Sequence, residues 1–299
     1  MFAYDFDRLN NLFREILTRG VSTETMKWLE DQGLQAKKPD ISKFNVAFVA
    51  MPRRTGKEAI SITARDAAAV DTARPGLNIS GWTHDRLSRV WLLMQLKADD
   101  RQRYVSAIEN LFLSAEMSEL VALYSALPVL AYPDAWVKRC AEGIRSNIGQ
   151  VLEAVICNNP YAAEHLDEAA WNQLVLKAIF TEKPVLEIVG LRKRANRALA
   201  NSLLDYAHER WAAHRDLNPL LWVCVGPFID ENNFADIQRV FSSADPLERD
   251  AAALAAYESP YGPAQQMVKE YSGLVKDIEA GKVSWQRIAA TMKGVKLEQ

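Results

Sequence analysis

Apolar side chains recur at intervals of three and four along most of the chain, the spacing that gathers them on one face of an α-helix. After Trp82-Thr83-His84-Asp85, with Thr83 or Asp85 placed to cap, Leu87, Val90, Trp91 and Met94 form one such face. Tyr104, Ile108, Leu111 and Phe112 form the next, within a helix predicted at about 99–114. A third helix covers 118–127 and stops at Pro128, whose ring cannot continue it. From Asp134 the pattern predicts one long helix, with Val137, Ala141, Ile144, Ile148, Val151 and Val155 on a single stripe.

Two-residue alternation of strand length is nearly absent. The run 44–51 is too short to classify by period and reads as a helix among helices. Near the end, Asp245-Pro246-Leu247-Glu248-Arg249-Asp250 leads into AAALAAY, like the second half of a HEAT-type repeat, where alanines allow close helix packing. No internal period repeats, so a regular solenoid does not follow. The expectation is an all-α fold of stacked antiparallel helix pairs forming an irregular HEAT-like α-solenoid, with a compact helical bundle as the alternative. We expect one helical domain over 1–299, with a soft boundary near 76–82 between an N-terminal helical subdomain and a motif-bearing helical repeat part.

The composition, 49% hydrophobic and 25% charged over 299 residues, supports a substantial core. The formal net charge of −2 supplies no global basic field, which argues against nucleic acid as a partner. One local exception runs over 37–57, where Lys37, Lys38, Lys43, Arg53, Arg54 and Lys57 face a single acid, Asp40. That stretch reads first as a solvated basic loop and second as an anion site. The opening MFAYDFDRLN has no basic and apolar signal-peptide regions, and the longest charge-free run, 120–133, is interrupted by Pro128. A cytoplasmic protein without direct membrane insertion is expected. Cys140, Cys157 and Cys224 are widely spaced and set among apolar residues, as buried reduced thiols would be; they form neither a metal motif nor a disulfide framework.

Several motifs fail on inspection. Arg53-Arg54-Thr55-Gly56-Lys57 ends like a phosphate loop but lacks the upstream glycine and the preceding strand. His208-Glu209 begins like a zincin helix, yet Ala212 occupies the position of the second histidine, so no metal and no cofactor are expected. No G-x-S-x-G elbow occurs.

What remains is a concentration of polar residues between Arg145 and Arg215. Arg145 and Asn147 flank the stripe of the long helix, which Asn158-Asn159-Pro160-Tyr161 terminates. His165 and Asp167 precede a helix at about 168–180, with Trp171, Leu174, Val175 and Ala178 inward, Gln173 and Lys177 outward, and Asn172 at the boundary. In a further helix at about 196–215, Ala200, Leu204, Ala207 and Trp211 define the buried stripe, and His208 falls within it. Asp205, one turn earlier, is placed to fix the His208 tautomer. A polar pair on an apolar face marks either a structural network or a site. Asn147, Asn159 and Asn172 read first as caps of loop backbones, and Trp171, Trp211 and Trp222 as core.

The strings Arg145-Ser146-Asn147, NNPYAAEHLDEAAWNQLVLKAIF over 158–180, Arg194-Ala195-Asn196, DYAHERWAA over 205–213 and LWVCVGPF over 221–228 resemble the EboA family. The likeness is dense over about 115–230 and looser in 52–57 and 82–89. It implies a bacterial gene cluster handling traffic of a secondary-metabolite precursor from cytoplasm to periplasm, whose other products would be partners. It supplies no catalytic residues. Ala162 stands where a proline after NPY is expected in many relatives.

Two functions are weighed. In the first, a non-enzymatic helical-repeat adaptor or metabolite-binding protein uses Arg145, Asn147, Asn159, Tyr161, Asn172, Gln173, Lys177, Arg194 and His208 around a shared recess. In the second, an enzyme acting on a small anionic or prenylated metabolite uses His208 as general base oriented by Asp205, with Arg145, Lys177 or Arg194 holding a negative group. The enzyme reading predicts that His208, Arg145 and Asn172 converge on one pocket.

Overall fold

The computed structural model describes residues 4–38 and 40–294. Among them are eighteen α-helices and five short 3₁₀ turns, with no strand and an isolated bridge between Ala59 and Thr83. The fold is all-α. The residues group into two compact units, Met1–Leu166 and Asp167–Gln299, and segment 76–82 lies inside the first.

The first unit is organised around the His84–Met94 helix, ten of whose eleven residues are buried. A helix buried on almost every side belongs in the middle of a core. Helices Phe6–Gly20, Thr23–Ala36, Ser42–Thr55 and Met117–Ala126 all pack on it. Its start is fixed by sequence: Thr83 is extended, and its Oγ1 accepts from the Arg86 amide. The segment before it is tied to residues 58–60, since the His84 amide donates to the Glu58 carbonyl and the Ile60 amide to that of Trp82, both at 2.9 Å. The run 44–51 is helical, as expected, within Ser42–Thr55.

The long helix expected from Asp134 is broken. A 3₁₀ turn, Pro133–Trp136, precedes Val137–Ile144, and a second helix, Gly149–Ile156, follows four residues later. The cause is local. The Ser146 amide closes a tight turn on the Gly143 carbonyl, and the Ser146 hydroxyl accepts from the Ile148 amide at 3.1 Å, offering the backbone an alternative to the helical ladder. Arg145 and Asn147 therefore sit exposed in a break, not along a stripe.

In the second unit the Pro246–Glu258 helix is central, with Ala251, Ala252, Ala253, Ala255 and Ala256 all at 0–1% exposure. Without bulk to hold neighbours off, it receives Phe234–Phe241, Gly262–Lys269 and Trp285–Met292 closely. Asp245 caps it by accepting from the Leu247 amide. In each unit some helices adjacent in sequence pack as neighbours, among them Thr23–Ala36 with Ser42–Thr55 and Phe234–Phe241 with Pro246–Glu258, an arrangement compatible with stacked helix pairs. Among the described residues no helix is long and apolar enough to cross a membrane. Cys140 and Cys224 are buried, and burial pushes both thiols up to about 12; Cys157, expected to be buried, is half-exposed.

Candidate functional site

The buried central helix of the first unit carries two charges that its apolar surroundings would reject unless paired. Arg89, 1% exposed, donates from Nη1 to Asp85 Oδ2 at 2.6 Å and from Nε to the Phe48 carbonyl at 2.9 Å, while Glu119 lies 3.9 Å from its other Nη. Burial pulls the Arg89 guanidinium down, and Asp85 and Glu119 oppose that pull. Asp85 Oδ1 in turn accepts from the Thr83 hydroxyl at 2.6 Å. The network locks the first turn of this helix.

Arg86, in the same turn, is the group this framework leaves available. Its Nε donates to the Ser125 hydroxyl at 2.8 Å, and the guanidinium stacks 4.4 Å above the Trp82 ring. Its two Nη nitrogens make no hydrogen bond to a described residue. Burial pulls its pKa down to about 10, against the charges of Asp85, Cys157 and Glu153, so at neutral pH it remains a cation. It lines a recess of about 350 Å³, within the size range of small-molecule sites, shared with Thr83, Asp85, Lys57, Ser118, Val121, Gln150 and Glu153. Gly81 completes the wall at φ 76°, a left-handed turn position where an added Cβ would meet nothing within 4 Å, so the demand is conformational. The recess thus presents one guanidinium fork held by stacking and one hydrogen bond, with a second cation, Lys57, exposed.

In the second unit His208 lies outside the buried stripe expected to contain it. Its side chain is 53% exposed, and the stripe runs through Leu199, Ala200, Leu203, Leu204 and Ala207. One residue beyond Ala207 turns the side chain about 100° around the axis, away from the core. The expected partner is also replaced: His208 Nε2 lies 2.9 Å from Asp236 Oδ1, on the Phe234–Phe241 helix, whereas Asp205 is exposed. Asp205, His208 and Asp236 line an open groove of about 500 Å³, together with Arg197 and Asp230, themselves paired at 2.8 Å.

The other expected residues serve packing or stand apart. Asn159 is buried, donates to the carbonyls of Tyr124 and Ala154 and accepts from the Tyr161 amide, which uses it up as a turn-former. Tyr161 is buried with its hydroxyl on the Pro133 carbonyl. The Asn172 and Asn196 amides bond each other reciprocally at 2.8 and 3.2 Å, and Asn196 caps the Arg197–Ala212 helix. Arg194 stacks 4.6 Å over the Trp171 ring; burial lowers its pKa against Asp167 and Glu168. Gln173 is exposed and Lys177 half-buried. Arg145, Asn147, Asn159 and Tyr161 belong to the first unit, and the remaining candidates to the second. Of the candidates, the His208 groove gathers only Asp205 and His208.

Arg86 escaped sequence reasoning because one arginine on a helix is ordinarily solvated. The signal lay beside it: Asp85 and Arg89, four residues apart, interrupt an otherwise apolar helix. No curated protein and no solved structure matches the chain. One family model does, described as metabolite traffic protein EboA, over residues 9–226, which takes in the whole Arg86 recess and His208 but neither Asp230 nor Asp236. That match covers most of the 299 residues, and the chain belongs to the EboA family.

Proposed function

We propose that the protein serves metabolite traffic by binding a small polar metabolite in the Arg86 recess and passing it to other proteins of its gene cluster, as a non-enzymatic carrier or adaptor. The observation that carries this reading is the Arg86 guanidinium. It is stacked on Trp82, tethered through Nε to Ser125, and has its Nη donors available beside a recess of ligand size. A desolvated cation preorganised in this way binds a complementary group without first having to be ordered. Native mass spectrometry of the protein isolated from its own host is expected to show a bound small mass that Arg86→Gln removes. An identical mass on the variant, or none on the wild type, would defeat the carrier reading.

A second reading rests on His208 and Asp236. An imidazole 2.9 Å from a carboxylate in an open groove has the partner that a general base needs, with Asp236 in the role sequence reasoning gave to Asp205. Turnover of the bound metabolite lost in His208→Ala and kept in Arg86→Gln would favour it over the carrier.

A further inference from the structure

The basic stretch 37–57 is not the solvated loop that its composition suggests. Most of it is the Ser42–Thr55 helix, which packs on Thr23–Ala36. Phe44, Ala47, Phe48 and Met51 turn into the core, whereas Val46 and Val49 are 68% and 60% exposed. Lys43, Val46, Val49 and Arg53 follow one another at three and four residues, so basic and apolar side chains share one exposed stripe. The helix carries no acid, and Asp40, just before it, accepts from the Ser42 amide. Lys37, Lys38, Lys43, Arg53, Arg54 and Lys57 form no ion pair with a described residue. Beside the stripe, between the two helices, lies a recess of about 300 Å³ with Trp28, Val46, Ala47 and Ala50 in its walls. Arg54 shares this recess and sits 5.4 Å over the Trp28 ring.

We propose that this face docks an acidic amphipathic helix of a partner protein, with an apolar anchor in the Trp28 recess and carboxylates on Lys43, Arg53 and Arg54. Charge complementarity selects this occupant. An anionic bilayer takes up a helix through a broad apolar face, and here the large apolar residues are spent on the core. A second copy related by a two-fold axis would set these cations against each other. The proposal does not depend on the cargo reading of the Arg86 recess, although Lys57, two residues beyond the helix, lines that recess.

The test titrates the full chain into a fluorescently labelled amphipathic peptide of leucine and glutamate, read by anisotropy. A leucine and lysine peptide and vesicles of phosphatidylglycerol serve as the alternatives. The glutamate peptide is expected to bind, and more weakly as salt is added. Arg53→Ala with Arg54→Ala should weaken it about tenfold, and so should Val46→Ser with Val49→Ser. All four side chains are exposed, so these variants keep the fold. In the host, a photo-crosslinking residue in place of Val49 should capture a different protein through a segment rich in Asp and Glu, and the paired arginine substitutions should abolish that capture. No binding of the glutamate peptide, equal binding of the lysine peptide, or affinity unchanged in both double variants would overturn the proposal. Sedimentation of the protein with the vesicles, or crosslinking to lipid or to a second copy, would overturn it equally.

Discussion

Asp85 and Arg89 form an ion pair at 2.6 Å inside a helix buried on every face, with side chains 6% and 1% exposed. Taking two charges out of water is costly, and the pair repays that cost only while both members are present. Arg89→Met strands a carboxylate in the core and is expected to cost about 3–5 kcal/mol in urea unfolding. The double variant Asp85→Leu, Arg89→Met removes both charges and should recover at least half of that loss. If the double variant is as unstable as the sum of the singles, the two residues are not coupled as the geometry requires.

Asn196 accepts from the Leu199 amide at 2.8 Å and exchanges hydrogen bonds with Asn172. Asn196→Ala loses both the cap and the amide pair, for an expected cost of about 1–2 kcal/mol. Asn196→Asp keeps the capping acceptor and should retain most of the stability. Equal losses for alanine and aspartate would show that the cap contributes nothing.

Helix content, the capping residue Thr83, and the buried faces through Trp171 and the alanines of 251–256 were legible in the sequence, because each depends on spacing within one element. The break at Ser146 was not, since the apolar stripe continues through it and a single side-chain-to-backbone bond diverts the chain. The pairing of His208 was misread for a related reason. Asp205 is near in sequence, but Asp236 is brought close by packing of a different helix. The Arg86 recess needed both kinds of information: a buried charge pair visible as spacing, and a wall from 149–156 that only tertiary structure supplies.

His165 links stability to pH. Burial lowers its pKa from 6.5, with Arg74 acting in the same direction and Glu164 and Asp134 opposing. Its ring packs 4.7 Å from that of Tyr161. The folded state therefore prefers the neutral imidazole, whereas the unfolded chain takes up a proton near pH 6.5. The contribution is fully present above that value and is lost as pH falls through the lower, folded pKa. The urea midpoint should drop between pH 7.5 and 5.5, and His165→Gln should shrink the drop. An unchanged pH slope in the variant would place the effect elsewhere.

Gly143, in the Val137–Ile144 helix, faces Val155 and Tyr124. A Cβ built there would fall 2.5 Å from Val155 Cγ2 and 2.6 Å from Tyr124 Cε1, closer than real contacts allow. Tyr124 is buried and packed edge-on against Phe112, so the ring has little room to retreat. In an exposed helix glycine-to-alanine is worth about 1 kcal/mol in favour of alanine. Overpacking costs about 1–3 kcal/mol and should reverse the sign at this position, making Gly143→Ala destabilising. Gly273, in the Ser272–Glu279 helix with nothing within 4 Å of its hypothetical Cβ, is the matched control, and Gly273→Ala should stabilise by about 0.4–1 kcal/mol. The contrast between the two variants, measured in one unfolding series, isolates the helix contact from intrinsic propensity. Stabilisation by both would mean that the 137–144 and 149–156 helices are not held as closely as this glycine requires.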